Sequence, residues 1–79
     1  MYTAKELLNA VRSEKDLPII NDGSPYQAVN TAMIEHANSG WLCLNASRYI
    51  YITRDVIDYY RSLGYHTDHD GIIYWIYEN

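Results

Sequence analysis

Near its end the chain runs through six consecutive apolar or aromatic residues, Ile72-Ile73-Tyr74-Trp75-Ile76-Tyr77, and no other feature limits its folding as strongly. The run is far too short to cross a bilayer, which takes about 20 residues as a helix. Read as a strand, it sends Ile72, Tyr74 and Ile76 to one side and Ile73, Trp75 and Tyr77 to the other, so neither face is polar. A strand of this kind belongs in a sheet with cover on both sides. The preceding His69-Asp70-Gly71 has the composition of a tight turn, and Tyr65 to Asp68 supplies the opposing strand of a hairpin.

Upstream, the periodicity is helical. Thr3 and Glu6 form a capping box, and Ala4, Leu7, Leu8 and Val11 mark one apolar stripe, predicting a helix over Thr3–Glu14 that Asp16-Leu17-Pro18 terminates. Ser24, Pro25 and Gln27 predict a second helix from Pro25 to Gly40, with Ser24 as N-cap, Gln27 completing a capping box and Gly40 at the C-terminal end. Val29, Ala32, Met33, His36 and Ala37 form its stripe, where His36 reads as a packed, hydrogen-bonded histidine. Trp41 to Asn45 is a short strand. Arg48 to Ile52 alternates Tyr and Ile, either as a second strand or as an extended connection with Tyr49 and Tyr51 outward and Ile50 and Ile52 inward. Thr53 caps a third helix with Val56, Ile57, Tyr60 and Leu63 on one stripe and Gly64 at its end.

The element order is ααβ(β)αββ. It predicts a single α+β domain over residues 1–79, with a small mixed or antiparallel three- to four-stranded sheet and the helices packed on one face. One helical layer cannot cover both faces of the last strand, so the second face is expected to meet another copy of the chain. Size points the same way. For 79 residues, surface scaling gives about 13,000 Å² unfolded and about 5,000 Å² folded, a marginal burial that association would reinforce.

Composition excludes several classes. Six Lys and Arg against ten Asp and Glu, a net charge of −4, argue against binding DNA, which requires a basic face. The opening Met1-Tyr2-Thr3-Ala4-Lys5-Glu6 lacks the apolar stretch of a signal peptide, so the expected location is cytoplasmic, with no membrane association. Cys43 is the only cysteine, and its neighbours Leu42 and Leu44 make it a small hydrophobe. His66-Thr67-Asp68-His69-Asp70 contains metal-ligating residue types, but Asp70-Gly71 is accounted for by the turn and the rest by a solvated strand. There is no HExxH, P-loop or GxGxxG pattern and no paired catalytic carboxylates, so neither an enzyme nor a cofactor is expected.

The unusual feature is aromatic: nine Tyr, two Trp and no Phe. Rings with polar tips suit a thin core or a subunit interface, and they also suit stacking on a planar ligand. Arg48 and Arg54 bracket Tyr49-Ile50-Tyr51-Ile52-Thr53 at the start of the third helix. Candidate ligand-binding residues are therefore Arg48 and Arg54 for a phosphate and Tyr49, Tyr51 or Trp41 for a base. Arg54 has a competing role as an ion-pair partner of Asp58, four residues on.

The stretch from Ala32 to Trp75, through Ser39-Gly40, Ile52-Thr53-Arg54-Asp55-Val56-Ile57, Leu63-Gly64-Tyr65, Asp70-Gly71 and Ile73-Tyr74-Trp75, resembles small accessory proteins of tailed bacteriophages, and Thr3-Ala4-Lys5-Glu6-Leu7 is similar to their opening helix. Some of these proteins counter host defence as compact oligomers that sequester cyclic nucleotide or ADP-ribose-derived signals. The resemblance implies a homo-oligomer in the host cytoplasm that binds a small nucleotide between subunits without catalysis. The alternative expectation is a protein-binding module that inhibits a host factor through an acidic, Tyr-rich surface.

Overall fold

The computed structural model describes residues 1–76, and Tyr77, assigned above to the last strand, lies outside them. Three helices, α1 (Ala4–Arg12), α2 (Gln27–Asn38) and α3 (Arg54–Ser62), accompany a three-stranded antiparallel sheet of β1 (Cys43–Asn45), β2 (His66–Thr67) and β3 (Ile72–Tyr74). The spatial order β1-β3-β2 puts the apolar run at the centre, as its two non-polar faces require. The fold is small α+β, in the order ααβαββ.

The register defines the two faces. Leu44, Ile73 and Thr67 lie side by side across the sheet, and all three are buried. Together with Trp75, Leu44 and Ile73 meet Leu7, Val29, Met33, Ile34, Val56, Tyr60 and Tyr65 from the helices and the loop after α3. The neighbouring row, Cys43, Tyr74 and His66, is half-buried or exposed. Two further main-chain bonds, Trp75 to Leu42 and Ala46 to Gly71, extend the β1–β3 ladder at both ends.

Local boundaries depart from the sequence reading in α1, α2 and the strands: of the strand expected over Tyr65–Asp68 only His66–Thr67 forms, and β3 ends at Tyr74, before Trp75 and Ile76. α1 stops at Arg12, where Glu14 turns left-handed (φ 54°) and the amides of Glu14 and Lys15 close on Val11 and Ala10. α2 starts at Gln27, not Pro25, without a side-chain cap: Gln27 Oε1 accepts from the Asp22 amide, and its Nε2 donates to Ile20 O and Thr31 Oγ1. Gln27 thus closes the preceding loop, and the Ser24 amide that a capping box would engage donates to Asp22 Oδ1 instead. The strand expected over Trp41–Asn45 is confined to its last three residues. The stretch from Arg48 to Ile52 takes the second of its two expected forms, the extended connection. Asn45 caps a single 3₁₀ turn over Ala46–Arg48, and an extended segment follows with Tyr49 and Tyr51 exposed and Ile50 and Ile52 packed against the core.

The β2–β3 hairpin turns through His69-Asp70-Gly71. Asp68 Oδ1 accepts from the amides of Asp70 and Ile72, each at 3.0 Å, and Gly71 takes φ +90°. A Cβ at Gly71 would stand 2.7 Å from Ile52, so the loop before α3 rests directly on this turn.

Five of the eleven Tyr and Trp rings form one chain through the core. Tyr26 stacks on Tyr59 with centroids 4.4 Å apart, and edge contacts continue through Tyr60 and Tyr65 to Trp75. Their polar tips reach partners: Tyr60 donates to Asn30 Oδ1, Tyr65 to Tyr2 O and Trp75 to Trp41 O. A thin core that consumes Tyr in place of Phe thus accounts for much of the aromatic content. The accessible surface, 5034 Å², is close to the scaling value for a compact monomer of this size.

Candidate ligand-binding groove

α2 ends in a Schellman motif. Gly40, at φ +90°, donates to Ala37 O, and Trp41 donates to His36 O at 2.9 Å. The 6→1 bond folds the chain back so that Trp41 is set beside the last turn of α2. The 3₁₀ turn then returns Tyr49 toward the same helix, its amide donating to Ala46 O. His36, Trp41 and Tyr49 become the shared wall of two adjoining cavities.

The larger, of about 530 Å³, follows α2 and adds Thr31, Glu35 and Ser39. The smaller, of about 420 Å³, opens over β1 and adds Cys43, Asn45 and Arg48. Each falls within the roughly 300–1,000 Å³ typical of small-molecule sites. Trp41 is 62% exposed and Tyr49 44%. Unlike the core rings, neither makes a ring contact with another aromatic among the described residues. Arg48 and Glu35 likewise have no ion-pair partner among the described residues.

His36 is fixed by its Nδ1, 2.8 Å from Ala32 O. A carbonyl only accepts, so Nδ1 carries a proton and donates it to Ala32 O. The histidine is packed and hydrogen-bonded, as its place on the stripe predicted, and it also lines both cavities.

Of the five residues singled out from sequence, Trp41, Arg48 and Tyr49 meet at this groove, while Arg54 and Tyr51 do not line it. Arg54 Nε lies 3.5 Å from Asp58 Oδ1 on the solvated side of α3, an i,i+4 pair with both side chains largely in water. Tyr51 is 87% exposed. The free amides at the start of α3 are partly used as well, since Thr53 Oγ1 accepts from Val56 N. Cys43, expected to be a buried hydrophobe, is half-buried on the face opposite Leu44 and lines the smaller cavity.

Thr31, Glu35 and Ser39 were not singled out from sequence, yet the signal for them was present. Ala28, Thr31, Ala32, Glu35, His36 and Ser39 recur at three- and four-residue steps and so share one side of α2. Among the described residues no group of three His, Cys, Asp or Glu is placed to hold a metal ion, and no helix is long and apolar enough to cross a membrane. Comparison with protein-family models, curated proteins and solved structures finds no match to this chain.

Proposed function

We propose that this protein binds and sequesters a small nucleotide, of the cyclic oligonucleotide or cyclic ADP-ribose type, without chemically altering it. One observation carries the reading: exposed, unpartnered Trp41 and Tyr49 rings share a wall with His36 between two cavities, and the unpaired Arg48 guanidinium lines one of them. Stacking on an aromatic face contributes about 1–3 kcal/mol per base, and a guanidinium matches a phosphate in shape and charge.

The groove is open, so a bound base would keep one face in water unless something covers it. A second copy laid over Trp41, Tyr49 and the half-buried Ile72 and Tyr74 would close the site and cover the outer sheet face together. The part of the reading concerned with countering host defence in the host cytoplasm is supported by the resemblance to small phage proteins.

Calorimetric titration of the full chain with cyclic dinucleotides, cyclic trinucleotides and cyclic ADP-ribose isomers tests the proposal. Binding by at least one, abolished in Trp41→Ala and weakened in Arg48→Ala, is expected, with the nucleotide recovered intact after the complex is denatured. Sedimentation should show association that strengthens with nucleotide. Absence of heat and of any thermal shift across the panel sinks the reading and favours a protein partner for the same exposed rings. Recovery of cleavage products makes the protein an enzyme.

A further inference from the structure

Glu35 and Arg48 lie on opposite sides of the shared ring wall. Glu35 lines only the larger cavity, Arg48 lines only the smaller, and His36, Trp41 and Tyr49 line both. A ligand stacked on the rings with its phosphate at Arg48 therefore turns the far edge of its base toward Glu35.

The far side of the groove carries the Glu35 carboxylate beside the Thr31 and Ser39 hydroxyls, which donate as well as accept. The Glu35 carboxylate is free of partners among the described residues, and the His36 ring beside it is held through Nδ1 at Ala32 O. The Thr31 hydroxyl oxygen already accepts from Gln27 Nε2. Among the described residues, no Lys, Arg or amide side chain lines the larger cavity. A base edge that meets the Glu35 carboxylate must present donors. The Watson–Crick edge of guanine presents two adjacent ones, N1–H and the N2 amino group, which a carboxylate accepts together. The same edge of adenine presents one donor beside the N1 lone pair, and that lone pair would face a carboxylate oxygen.

We propose that the groove discriminates between purines, selecting guanine nucleotides over adenine nucleotides through Glu35. This rests on the nucleotide reading above and narrows it: guanine-containing cyclic oligonucleotides are favoured over the adenine-based cyclic ADP-ribose. A site built to hydrogen-bond a given edge rejects a mismatched one through the polar group left unpaired, so the preference should be large.

The test compares GMP with AMP, and cyclic di-GMP with cyclic di-AMP, by calorimetry on the full chain at neutral pH. Guanine nucleotides should bind at least tenfold more tightly. Glu35→Gln, a helix-neutral change at an exposed position, should weaken the guanine ligands at least tenfold and leave the adenine ligands equal or tighter, closing the gap. Arg48→Ala should weaken all four by a similar factor and preserve the ratio. Equal affinity for the two bases, or a ratio unchanged in Glu35→Gln, overturns the guanine assignment while leaving the nucleotide reading in place. Absence of binding by all four, with binding by other nucleotides of the wider panel, also overturns it. Silence across that whole panel removes both.

Discussion

The indole nitrogen of Trp75 donates to the main-chain carbonyl of Trp41 at 2.9 Å, so a fully buried ring holds the backbone beneath an exposed one. Core and groove are thereby joined at one bond. Trp75→Phe removes the donor, leaves that carbonyl unpaired and opens space in the core, for an expected loss of about 2–3 kcal/mol. Trp41→Phe, at a solvated position, should stay within about 0.5 kcal/mol of the parent. Urea midpoints decide this, and equal losses from the two changes would show that the buried ring has no anchoring role. Emission provides a second reading: Trp41→Phe should leave only blue-shifted fluorescence that acrylamide quenches poorly.

The elements were legible because their end signals are local. Thr3 with Glu6, Thr53 before α3 and Gly71 in the hairpin act through bonds spanning a few residues, and each occurs where the sequence placed it. The errors arose where one side chain had two possible partners. Gln27 satisfies the loop at Asp22 and Ile20 instead of a cap at Ser24. The Tyr-Ile alternation after Arg48 fitted a strand or an extended connection equally, and the 3₁₀ turn capped by Asn45 settles it as the connection, which joins no strand among the described residues. The groove was only half legible. Trp41 and Tyr49 could be chosen as exposed rings, whereas their meeting with His36 and Glu35 depends on the reversal at Gly40 and on that same unforeseen turn.

The Tyr60 hydroxyl donates to Asn30 Oδ1 at 2.6 Å in the core, and Asn30 Nδ2 has no partner among the described residues. Tyr60→Phe should cost about 1–3 kcal/mol, because Asn30 is then left with neither atom bonded. Adding Asn30→Leu should recover most of that loss, since both polar groups are gone. A double variant as unstable as the sum of the single ones would exclude this coupling. Burial, then the neighbouring Tyr59, Tyr65 and Tyr26, raise the Tyr60 pKa far above its usual value. The unfolded chain ionises this phenol near pH 10 and the folded chain does not. Its contribution is complete below about pH 10 and falls as pH rises further. Tyr60→Phe should flatten the alkaline limb of the stability profile.

Glu14 occupies the left-handed position that closes the Schellman motif of α1, where α2 has Gly40. A side chain with a Cβ is strained there by roughly 1–2 kcal/mol. Glu14→Gly should therefore raise stability by about 1 kcal/mol despite the greater freedom of glycine in the unfolded chain. Glu14→Ala, which keeps the Cβ, should show no such gain. If the two variants melt at the same temperature, the backbone strain at this residue is not limiting.

Asp68 should govern part of the acid stability. Burial raises its pKa, but hydrogen bonds from the Ile72 and Asp70 amides and the Tyr74 hydroxyl outweigh that effect, and the carboxyl is held below its ordinary value. A group more acidic in the folded state favours folding fully above its unfolded pKa, near 3.9, and loses that contribution as pH falls through the lowered folded value. Asp68→Asn keeps the Oδ1 acceptor for both amides, so the hairpin turn survives while the titration is removed. Glu6, through the Thr3 amide and hydroxyl, and Asp22, through the Ser24 amide, are lowered too and remain in the variant. Urea midpoints between pH 7 and pH 2 should thus decline less steeply below pH 4 for Asp68→Asn than for the parent, without becoming flat. Identical profiles would mean that the turn amides hold the neutral and ionised carboxyl equally well.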